Sequence, residues 1–358
     1  MSLKKILHIA PFNTAGVPFA FVEAERKMGF DSHLVTLGKS SFASNKGICL
    51  NLPFMTTPGI GVLKRFVSDP SVMKIHNIHQ IPKQIPKYWS PNGVFEKSLI
   101  QIREKIWQKK INRLLSDLDL LSFDIVQLDG GLEFYRDGRT IKNLKKYGKK
   151  VICCYTGSDL RVRGVIPEID ELSDLNVTVE FDHIYFHPDI HHVFFPFSLD
   201  RFELVKKEPG ETVRIGHAPT NREAKGSDEI LAVLNDLKST FSIEIVLIEN
   251  LPYERAIELK ATCDIFVDQI GDLGYGINSL EAMAMGIPAA SSLAKGFDEK
   301  NKDHPFIEIS SESIERNLKP FIEDRHLRER VGIRSREWVK EHHNPENVVR
   351  KIHRLAGL

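Results

Sequence analysis

The chain has 358 residues, which favours two domains, each large enough to bury its own core. Its 49 basic and 48 acidic side chains leave a formal net charge of +1. This balance excludes a general affinity for nucleic acid, so any electrostatic function must be local. The cysteines lie in or beside apolar runs without metal-ligand spacing, which predicts reduced thiols in a cytosolic protein and no metal site. They are Cys49, Cys153, Cys154 and Cys263.

The N-terminus passes directly into a strand-like run, without the longer apolar stretch of a signal peptide. No segment has the roughly 20 apolar residues that are needed to cross a bilayer. We therefore expect a soluble, cytoplasmic protein, which could still be peripheral to the inner face of the membrane.

The first half of the chain alternates short apolar runs with helical patterns. "KKILHIAPF" predicts a strand, "FAFVEAERKMGF" a helix and "SHLVTL" a second strand. "FDIVQL", "KKVICCY" and "HIYFH" predict further strands, with the helical "TIKNLKKYG" between the first two. This rhythm is typical of parallel strands covered by helices on both faces.

The pattern starts again in the second half, from "TVRIGHA" through "SIEIVLI" and "DIFVDQI" to "IPAASS". Prolines, a glycine and charges between the two series predict a hinge near residues 196 to 210. We expect domains over 1–200 and 201–340, and a C-terminal helix over 341–358. This helix could cross back to the first domain. The predicted fold class is α/β, with two doubly wound Rossmann-like domains facing a cleft.

The stretch "LGYGINSLEAMAMGIPAASS" has the outline of an anion site. Gly274 and Gly276 flank Tyr275 after a strand, and a helix is expected to start at Asn278 or the next residue, with free backbone N–H groups at its end. Glu281 lies one turn further, where its carboxylate could accept hydrogen bonds from a ribose diol. The spacing of Asn278 and Glu281 fits a capping box equally well, and local chemistry leaves both open.

This stretch resembles the nucleotide-sugar-binding segment of the GT-B glycosyltransferases, especially the large retaining family 4. The resemblance rests on Gly-Tyr-Gly, on Glu281-Ala-Met-Ala and on Gly-Ile-Pro288, and it implies that Glu281 binds the donor ribose. "IGHAPTNREAKGSDEIL" is similar to a Lys-Gly element of that family, which implies that Lys225 and Arg222 face the donor diphosphate. The implied donor-binding residues of the glycine-containing stretch are Gly274, Tyr275, Gly276, Ile277, Asn278 and Glu281.

The N-terminal half resembles the family more weakly. Gly16 stands where the family has a glycine-containing first loop that borders the donor phosphates, although ordinary turn chemistry explains a lone glycine as well. "CYTGSDLRVRG" resembles the family's His-Gly-x-Asp loop and makes Asp159 a catalytic candidate. The alternative is that Asp159 caps a helix.

Two positions depart from the family pattern. The second glutamate of the motif, which contacts the donor sugar, is replaced by Leu273, and the histidine of the N-terminal loop is replaced by Thr156. Asp272, next to Leu273, is therefore the nearest candidate for a catalytic carboxylate.

Residues 83–115 combine many Lys and Arg with Trp89, Trp107 and an apolar face. That predicted helical face consists of Phe95, Leu99, Ile102 and Ile106. A basic amphipathic helix can lie on an anionic membrane, where a lipid-linked acceptor would dock. The alternative is a long helix that packs on the N-terminal domain behind a charged outer face.

The sequence therefore predicts a glycosyltransferase of the hexosyl type that moves a sugar from a nucleotide diphosphate donor to a hydroxyl of a saccharide or lipid-linked acceptor. The resemblance implies retention of the anomeric configuration and a role in polysaccharide biosynthesis. We expect no metal and no cofactor beyond the donor substrate, and no nucleic acid partner. Two alternatives stay open. One is a nucleotide-sugar epimerase on the same fold. The other is a catalytically silent binding module, which the departures at Leu273 and Thr156 suggest.

Overall fold

The computed structural model describes residues 4–39, 47–55, 87–206, 210–271 and 274–358. The chain forms two compact units. The N-terminal unit comprises Met1–Pro196 together with Val348–Leu358, and the C-terminal unit comprises Phe197–Asn347.

The N-terminal unit is built on a parallel sheet. Its strands are β1 (Lys5–Ala10), β2 (Asp31–Thr36), β3 (Ile48–Cys49), β4 (Ile125–Asp129), β5 (Lys150–Tyr155), β6 (Leu175–Thr178) and β7 (Ile190–His192). Within the described residues this is a seven-stranded sheet in the order β3-β2-β1-β4-β5-β6-β7. The central strands are buried on both faces, which explains why their sequences are mostly apolar and do not alternate.

Helices cover this sheet. They are α1 (Val17–Lys27), α2 (Gly93–Asp117), α3 (Arg139–Lys146) and α4 (Pro167–Asp170). The prediction of a strand at "HIYFH" is wrong. Phe181–Tyr185 form a 3-10 turn, and the next strand, β7, starts only at Ile190. The partly buried aromatic residues Tyr185 and Phe186 produced the apolar pattern there, although they belong to no strand.

Helix α2 buries a different face from the one that its apolar spacing indicated. Its buried residues are Glu104, Trp107, Ile111 and Leu114. Phe95, at 73% exposure, and Ile102, at 58%, point into solvent together with Leu99 and Ile106. The helix therefore packs on the unit through its second half and leaves an apolar stripe uncovered in its first half.

The C-terminal unit repeats the architecture with a smaller sheet. Its strands are β8 (Val213–His217), β9 (Ile243–Leu247), β10 (Ile265–Val267), β11 (Ala289–Ser291) and β12 (Ile307–Glu308). Within the described residues they form a five-stranded parallel sheet in the order β12-β11-β10-β8-β9. The predicted fold class, two Rossmann-like α/β domains, is confirmed.

The helices of the C-terminal unit follow the same alternation. They are α5 (Arg222–Lys225), α6 (Ser227–Lys238), α7 (Tyr253–Ala261), α8 (Ile277–Ala284), α9 (Phe297–Lys300), α10 (Ile314–Glu323) and α11 (Arg325–His342). Of the helices in the described ranges, none is long and apolar enough to cross a membrane.

The last helix, α12 (Pro345–Leu355), begins in the C-terminal unit and joins the N-terminal one from Val348 onward. Asn344 caps its start by accepting a hydrogen bond from the backbone N of Asn347 at 2.9 Å. Near its end, His353 Nε2 lies 3.1 Å from Glu25 Oε1 of α1. A polar contact thus fixes the end of the chain to the N-terminal unit.

Candidate functional site

The strand order of the C-terminal unit reverses between β8 and β10. The chain moves from β8 to β9 on one side and from β10 to β12 on the other. Ligands of open parallel sheets bind outside the carboxyl ends of the strands at such a point. The segments that follow these two strands carry Lys225 and Gly276, so two predicted donor-binding residues lie at one crevice.

A buried aspartate organises this crevice. Asp268 follows β10, and its Oδ1 accepts a hydrogen bond from Lys225 Nζ at 2.6 Å. Its Oδ2 accepts from the backbone N of Gly276 at 2.9 Å and from Ser279 Oγ at 2.7 Å. Burial alone would raise the pKa of Asp268, but the charge of Lys225 and these hydrogen bonds lower it. The ionised carboxylate therefore fixes both the lysine and the start of α8.

Gly226 and Gly276 both lie close to Lys225, but glycine is suited to each position for a different structural reason. Gly226 has a positive φ of +67°, and a Cβ there would lie 2.4 Å from Ile270 Cγ1, so no larger residue fits. A Cβ at Gly276 would lie 3.6 Å from Lys225 Nζ, in ordinary contact. Gly276 thus leaves the amine uncovered, and the Lys225 side chain keeps 14% exposure.

Arg222 lies on the exposed first turn of α5. Its guanidinium donates to both carboxylate oxygens of Glu249, from Nε at 2.7 Å and from Nη2 at 2.6 Å. This bidentate pair uses the side of the guanidinium that would recognise a phosphate. Arg222 would have to leave Glu249 to serve a donor, whereas Lys225 already faces the crevice.

Glu281 lies inside the C-terminal unit, and both of its carboxylate oxygens have partners. Tyr253 donates its hydroxyl to Oε1 at 3.0 Å. Lys260 donates to Oε2 in a close ion pair, in which the side chains are only 1% and 6% exposed. Lys260 also donates to Asn278 Oδ1 at 2.8 Å, and Asn278 donates to the carbonyl of Ala218.

The capping-box interpretation of Asn278 and Glu281 is wrong. Helix α8 begins at Ile277 with Gly276 as its N-cap, so Asn278 lies inside the first turn. Glu281 accepts from side chains of α7 and not from a backbone N–H of its own helix. A buried ion pair between two helices holds this carboxylate in place.

The other predicted donor residues differ in what they offer a ligand. Tyr275 is buried against Phe306, with ring centroids 4.5 Å apart, and its hydroxyl lies 3.3 Å from His343 Nε2. Only the backbone of Tyr275 is thus placed for a ligand. Gly274 turns the chain with a φ of +82°, and Ile277 is half-buried. The catalytic candidate Asp272 and its neighbour Leu273 lie outside the described residues.

The predicted site residues of the N-terminal unit are Gly16 and Asp159. They lie beside the point where the strand order of its sheet reverses, between β1 and β4. Gly16 is the N-cap of α1 with a φ of +75°, and a Cβ there would meet no atom within 4 Å. Asp159 accepts hydrogen bonds at 2.8 Å from the backbone N of Thr156, of Gly157 and of Leu160. Two of these donors precede Asp159, and the N-cap of the helical turn Asp159–Arg163 is Ser158, so the carboxylate holds its own loop and the prediction that it caps a helix is wrong. A catalytic role for Asp159 stays a prediction.

Sequence reasoning missed Asp268, Lys260 and Tyr253. Asp268 had a usable signal, because it directly follows a buried strand at the carboxyl edge of the sheet. Lys260 is at the end of a helix that looks ordinary in sequence, and its partner Glu281 is 21 residues away. No local pattern indicates such a pair.

The fold is that of the GT-B glycosyltransferases. Residues 223–338 match the family model described as "Glycosyl transferases group 1". This segment contains Lys225, Asp268 and Glu281, and the recognition made from the sequence is confirmed there. No curated protein matches the chain by sequence.

Solved structures resemble the chain over nearly its whole length. A sucrose-phosphate synthase from Thermosynechococcus elongatus has a TM-score of 0.61 at 11% identity and covers 98% of both chains. A glycosyltransferase from Rickettsia africae has a TM-score of 0.61 at 13% identity, over 99% of this chain and 98% of the other. Anabaena HepE in complex with UDP has a TM-score of 0.54 at 10% identity, over 99% and 100%. At these identities the likeness shows the fold.

Proposed function

We propose that the protein is a glycosyltransferase that moves a sugar from a nucleotide diphosphate donor to a hydroxyl acceptor. The observation that carries this proposal is the crevice between β8 and β10, where buried Asp268 fixes Lys225 beside the glycine-flanked start of α8. A cation and a helix N-terminus at one point suit a diphosphate. The segment also matches a glycosyltransferase family model.

In the proposed reaction the bond between the anomeric carbon and the donor phosphate oxygen breaks, and the acceptor oxygen forms the new bond to that carbon. The acceptor hydroxyl gives its proton to the departing phosphate oxygen, and the nucleoside diphosphate leaves with the electron pair of the broken bond. Lys225 stabilises the negative charge that develops on the leaving diphosphate. We propose retention of the anomeric configuration, a hexosyl donor and transfer without a metal or an additional cofactor.

Glu281 is the proposed acceptor for the ribose hydroxyls. Its Oε2 is held by Lys260, so the oxygen available to a ribose is Oε1, which Tyr253 occupies with its hydroxyl. The Tyr253 side chain is half exposed, so it can turn away when a nucleotide enters. Asp272 remains the proposed carboxylate at the sugar, and Asp159 remains a second proposed catalytic residue.

Replacing Lys225 by Met is expected to weaken UDP binding about 10- to 100-fold, because charge-assisted hydrogen bonds to the diphosphate are lost. Uridine, which lacks phosphate, should bind nearly as before. UDP is the first ligand to test, since the HepE structures contain UDP and UDP-glucose. Isothermal titration calorimetry measures both affinities, and the exposed Lys238→Met is the matched control.

Lys225→Met also leaves the buried Asp268 without its ion pair, so this variant is expected to melt at a lower temperature. The double variant Lys225→Met/Asp268→Asn removes that unpaired charge and should recover stability while UDP binding stays weak. An equal loss of UDP and uridine affinity would show that Lys225 shapes the crevice without contacting phosphate.

Incubation with UDP-glucose and other nucleotide sugars separates this function from the alternatives. Transfer or slow donor hydrolysis marks a glycosyltransferase, and an isomerised sugar marks an epimerase. Tight binding without any turnover would support a silent binding module, for which the departures at Leu273 and Thr156 are the specific observation.

We propose further that the exposed stripe of α2 lies on an anionic membrane surface that presents a lipid-linked acceptor. The stripe consists of Val94, Phe95, Leu99, Ile102 and Ile106. Exposed basic residues lie along it or beside it, namely Lys105, Lys109, Lys110 and Arg113. An apolar stripe bordered by cations matches the lipid interface of an anionic bilayer. Residues 56–86 carry four basic residues against Asp69 alone, so their charge has the same sign as that of the helix and is also complementary to such a bilayer.

Ile102→Glu is expected to reduce binding to phosphatidylglycerol vesicles at least about 10-fold, since it removes apolar burial and adds a repelled charge. Ile333→Glu is the matched control, because Ile333 is 52% exposed on α11 of the other unit. Co-sedimentation with phosphatidylglycerol and phosphatidylcholine vesicles measures both variants. Equal binding of the wild-type chain to the two lipids would contradict the proposal.

A further inference from the structure

Three arginines of the N-terminal unit lack a carboxylate partner among the described residues. Arg103 Nε and Arg136 Nη1 are shielded from solvent, yet neither has a hydrogen-bond partner there. Arg136 stacks on Trp89 at 5.0 Å, and Arg103 stacks on Trp107 at 4.4 Å.

Arg163, the third arginine, donates to backbone carbonyls, to Gly130 at 2.7 Å and to Gly164 at 2.9 Å. On the same turn Arg161 is paired with Asp182 and Glu180. In the described ranges, no ion pair involves any of the three arginines.

The three arginines converge beside the reversal point of the N-terminal sheet. Arg136 is in the segment that follows β4, and Arg163 follows β5 and contacts Gly130 at the end of β4. Arg103 lies on α2 and is near enough for its charge to act on Arg136. Parallel sheets bind their ligands at this edge, so the arginines lie where a substrate is expected.

The nearest buried carboxylate is already used. Glu104 of α2 accepts from the backbone N of Arg136 at 2.8 Å with Oε1 and from Arg139 Nη2 at 3.0 Å with Oε2. It therefore fixes the backbone of Arg136 without binding its guanidinium. Glu104 thus positions Arg136 and leaves that side chain free for another anion.

The protein's own carboxylates compensate the charge of this cluster only in part. Burial lowers the pKa of Arg136, and the charges of Arg163 and Arg103 lower it further, to about 9, against the opposing effect of Glu104 and Glu96. Burial likewise lowers the pKa values of Arg103 and Arg163 and outweighs the nearby carboxylates. All three nevertheless stay protonated at neutral pH, so three like charges share a half-buried region. A multiply charged oxyanion would relieve this repulsion and satisfy the free N–H groups.

We propose that Arg103, Arg136 and Arg163 bind a phosphate group, and that this phosphate belongs to the acceptor. The second part rests on the proposed function, since only a transferase has an acceptor. Lys225 and Glu281 lie in the other unit, so the donor diphosphate has its own cation there. The preferred substrate is then a phosphorylated saccharide or a lipid-linked phosphate.

Titration of the full chain with inorganic phosphate tests the site without requiring turnover. The wild-type chain is expected to bind phosphate saturably, and Arg136→Gln to bind it at least tenfold more weakly. Arg136→Lys should restore part of the affinity because it keeps the charge and loses the planar fork. Arg113→Gln is the matched control, because Arg113 is an exposed arginine of the same helix as Arg103. UDP affinity should be equal in all four proteins.

The absence of saturable phosphate binding, or equal binding by wild type and Arg136→Gln, overturns the proposal. Phosphate binding that appears only in Asp69→Asn overturns it as well, because the chain's own carboxylate would then occupy the site. Residues 1–3, 40–46 and 56–86 of the N-terminal unit lie outside the described ranges, and Asp69 is the only acidic residue among them.

A transfer assay then tests the acceptor part. Phosphate should inhibit competitively against the acceptor and not against the donor, and treatment of acceptor fractions with phosphatase should abolish transfer. If neither added phosphate nor phosphatase treatment changes the rate of transfer, the site binds only free phosphate and the acceptor assignment is overturned. Phosphate binding without any turnover would retain the site and reject the proposed function.

Discussion

Lys260→Met is expected to destabilise the C-terminal unit by about 3 to 5 kcal/mol, because it leaves the Glu281 carboxylate buried without its cation. The two side chains are 1% and 6% exposed, so water cannot replace the lost ion pair. Tyr253 remains as a partner, but a neutral hydroxyl compensates only part of a buried charge. Urea denaturation measures the free energy of unfolding.

The double variant Lys260→Met/Glu281→Leu separates the ion pair from the rest of the packing. It should recover most of the lost stability, since neither charge then has to be buried. Lys319→Met is a surface control, because its pair with Glu315 is exposed and is worth less than about 1 kcal/mol. A double variant as unstable as Lys260→Met would show that packing, and not the unpaired charge, dominates.

The same double variant tests the proposed role of Glu281 in the ribose site. If the carboxylate binds ribose, the variant should fold and yet bind UDP less tightly by about 1 to 3 kcal/mol. Unchanged UDP affinity in the folded double variant would restrict Glu281 to a structural role.

His8→Leu is expected to destabilise the N-terminal unit by about 3 to 5 kcal/mol. His8 is fully buried in β1, with Nε2 at 2.9 Å from Glu25 Oε2 and Nδ1 at 3.1 Å from Asp129 Oδ2. Removal of the imidazolium takes away the cation that these two buried carboxylates share, while Glu25 keeps its contacts with His353 and Ser32. His33→Gln is the matched control, because its contact with Asp31 is at the surface.

The pH dependence of this cluster has a defined sign. Burial alone would lower the pKa of His8, but Glu25 and Asp129 outweigh it and raise the pKa to about 10. The stabilisation is therefore complete below the unfolded value of about 6.5 and is lost as pH rises to 10. Burial would raise the pKa of Glu25, whereas His8 and further hydrogen bonds lower it to about 2. That contribution is complete above about 4.5 and is lost as pH falls to 2.

The free energy of unfolding of this unit, measured with urea, should therefore be highest near pH 5 to 6 and decrease toward pH 9.5 by on the order of a few kcal/mol, with the urea midpoint falling in parallel. In His8→Leu the decrease above pH 6.5 should disappear. A wild-type midpoint that is flat between pH 6.5 and 9.5 would contradict a charged His8 in the folded state.

The sequence by itself determined the fold and the outline of the donor segment. Strands such as β1 and β5 are buried on both faces, so their runs are largely apolar and easily distinguished from the helices between them. The Lys225-Gly226 element and the glycines around Tyr275 were also readable. Glycine at a positive φ or beside a close neighbour is a local requirement that leaves a local signal.

Only the tertiary structure decided which partners the charged residues have. Glu281 pairs with Lys260 and not with its own helix end, and Arg222 pairs with Glu249. Helix α2 buries Glu104 because Arg139, 35 residues away, completes its hydrogen bonds. Burial of a charge depends on the groups that the fold brings to it, and these come from distant parts of the chain. The periodicity of a segment shows only which of its faces is apolar. It could therefore predict the helices and strands but not these pairings.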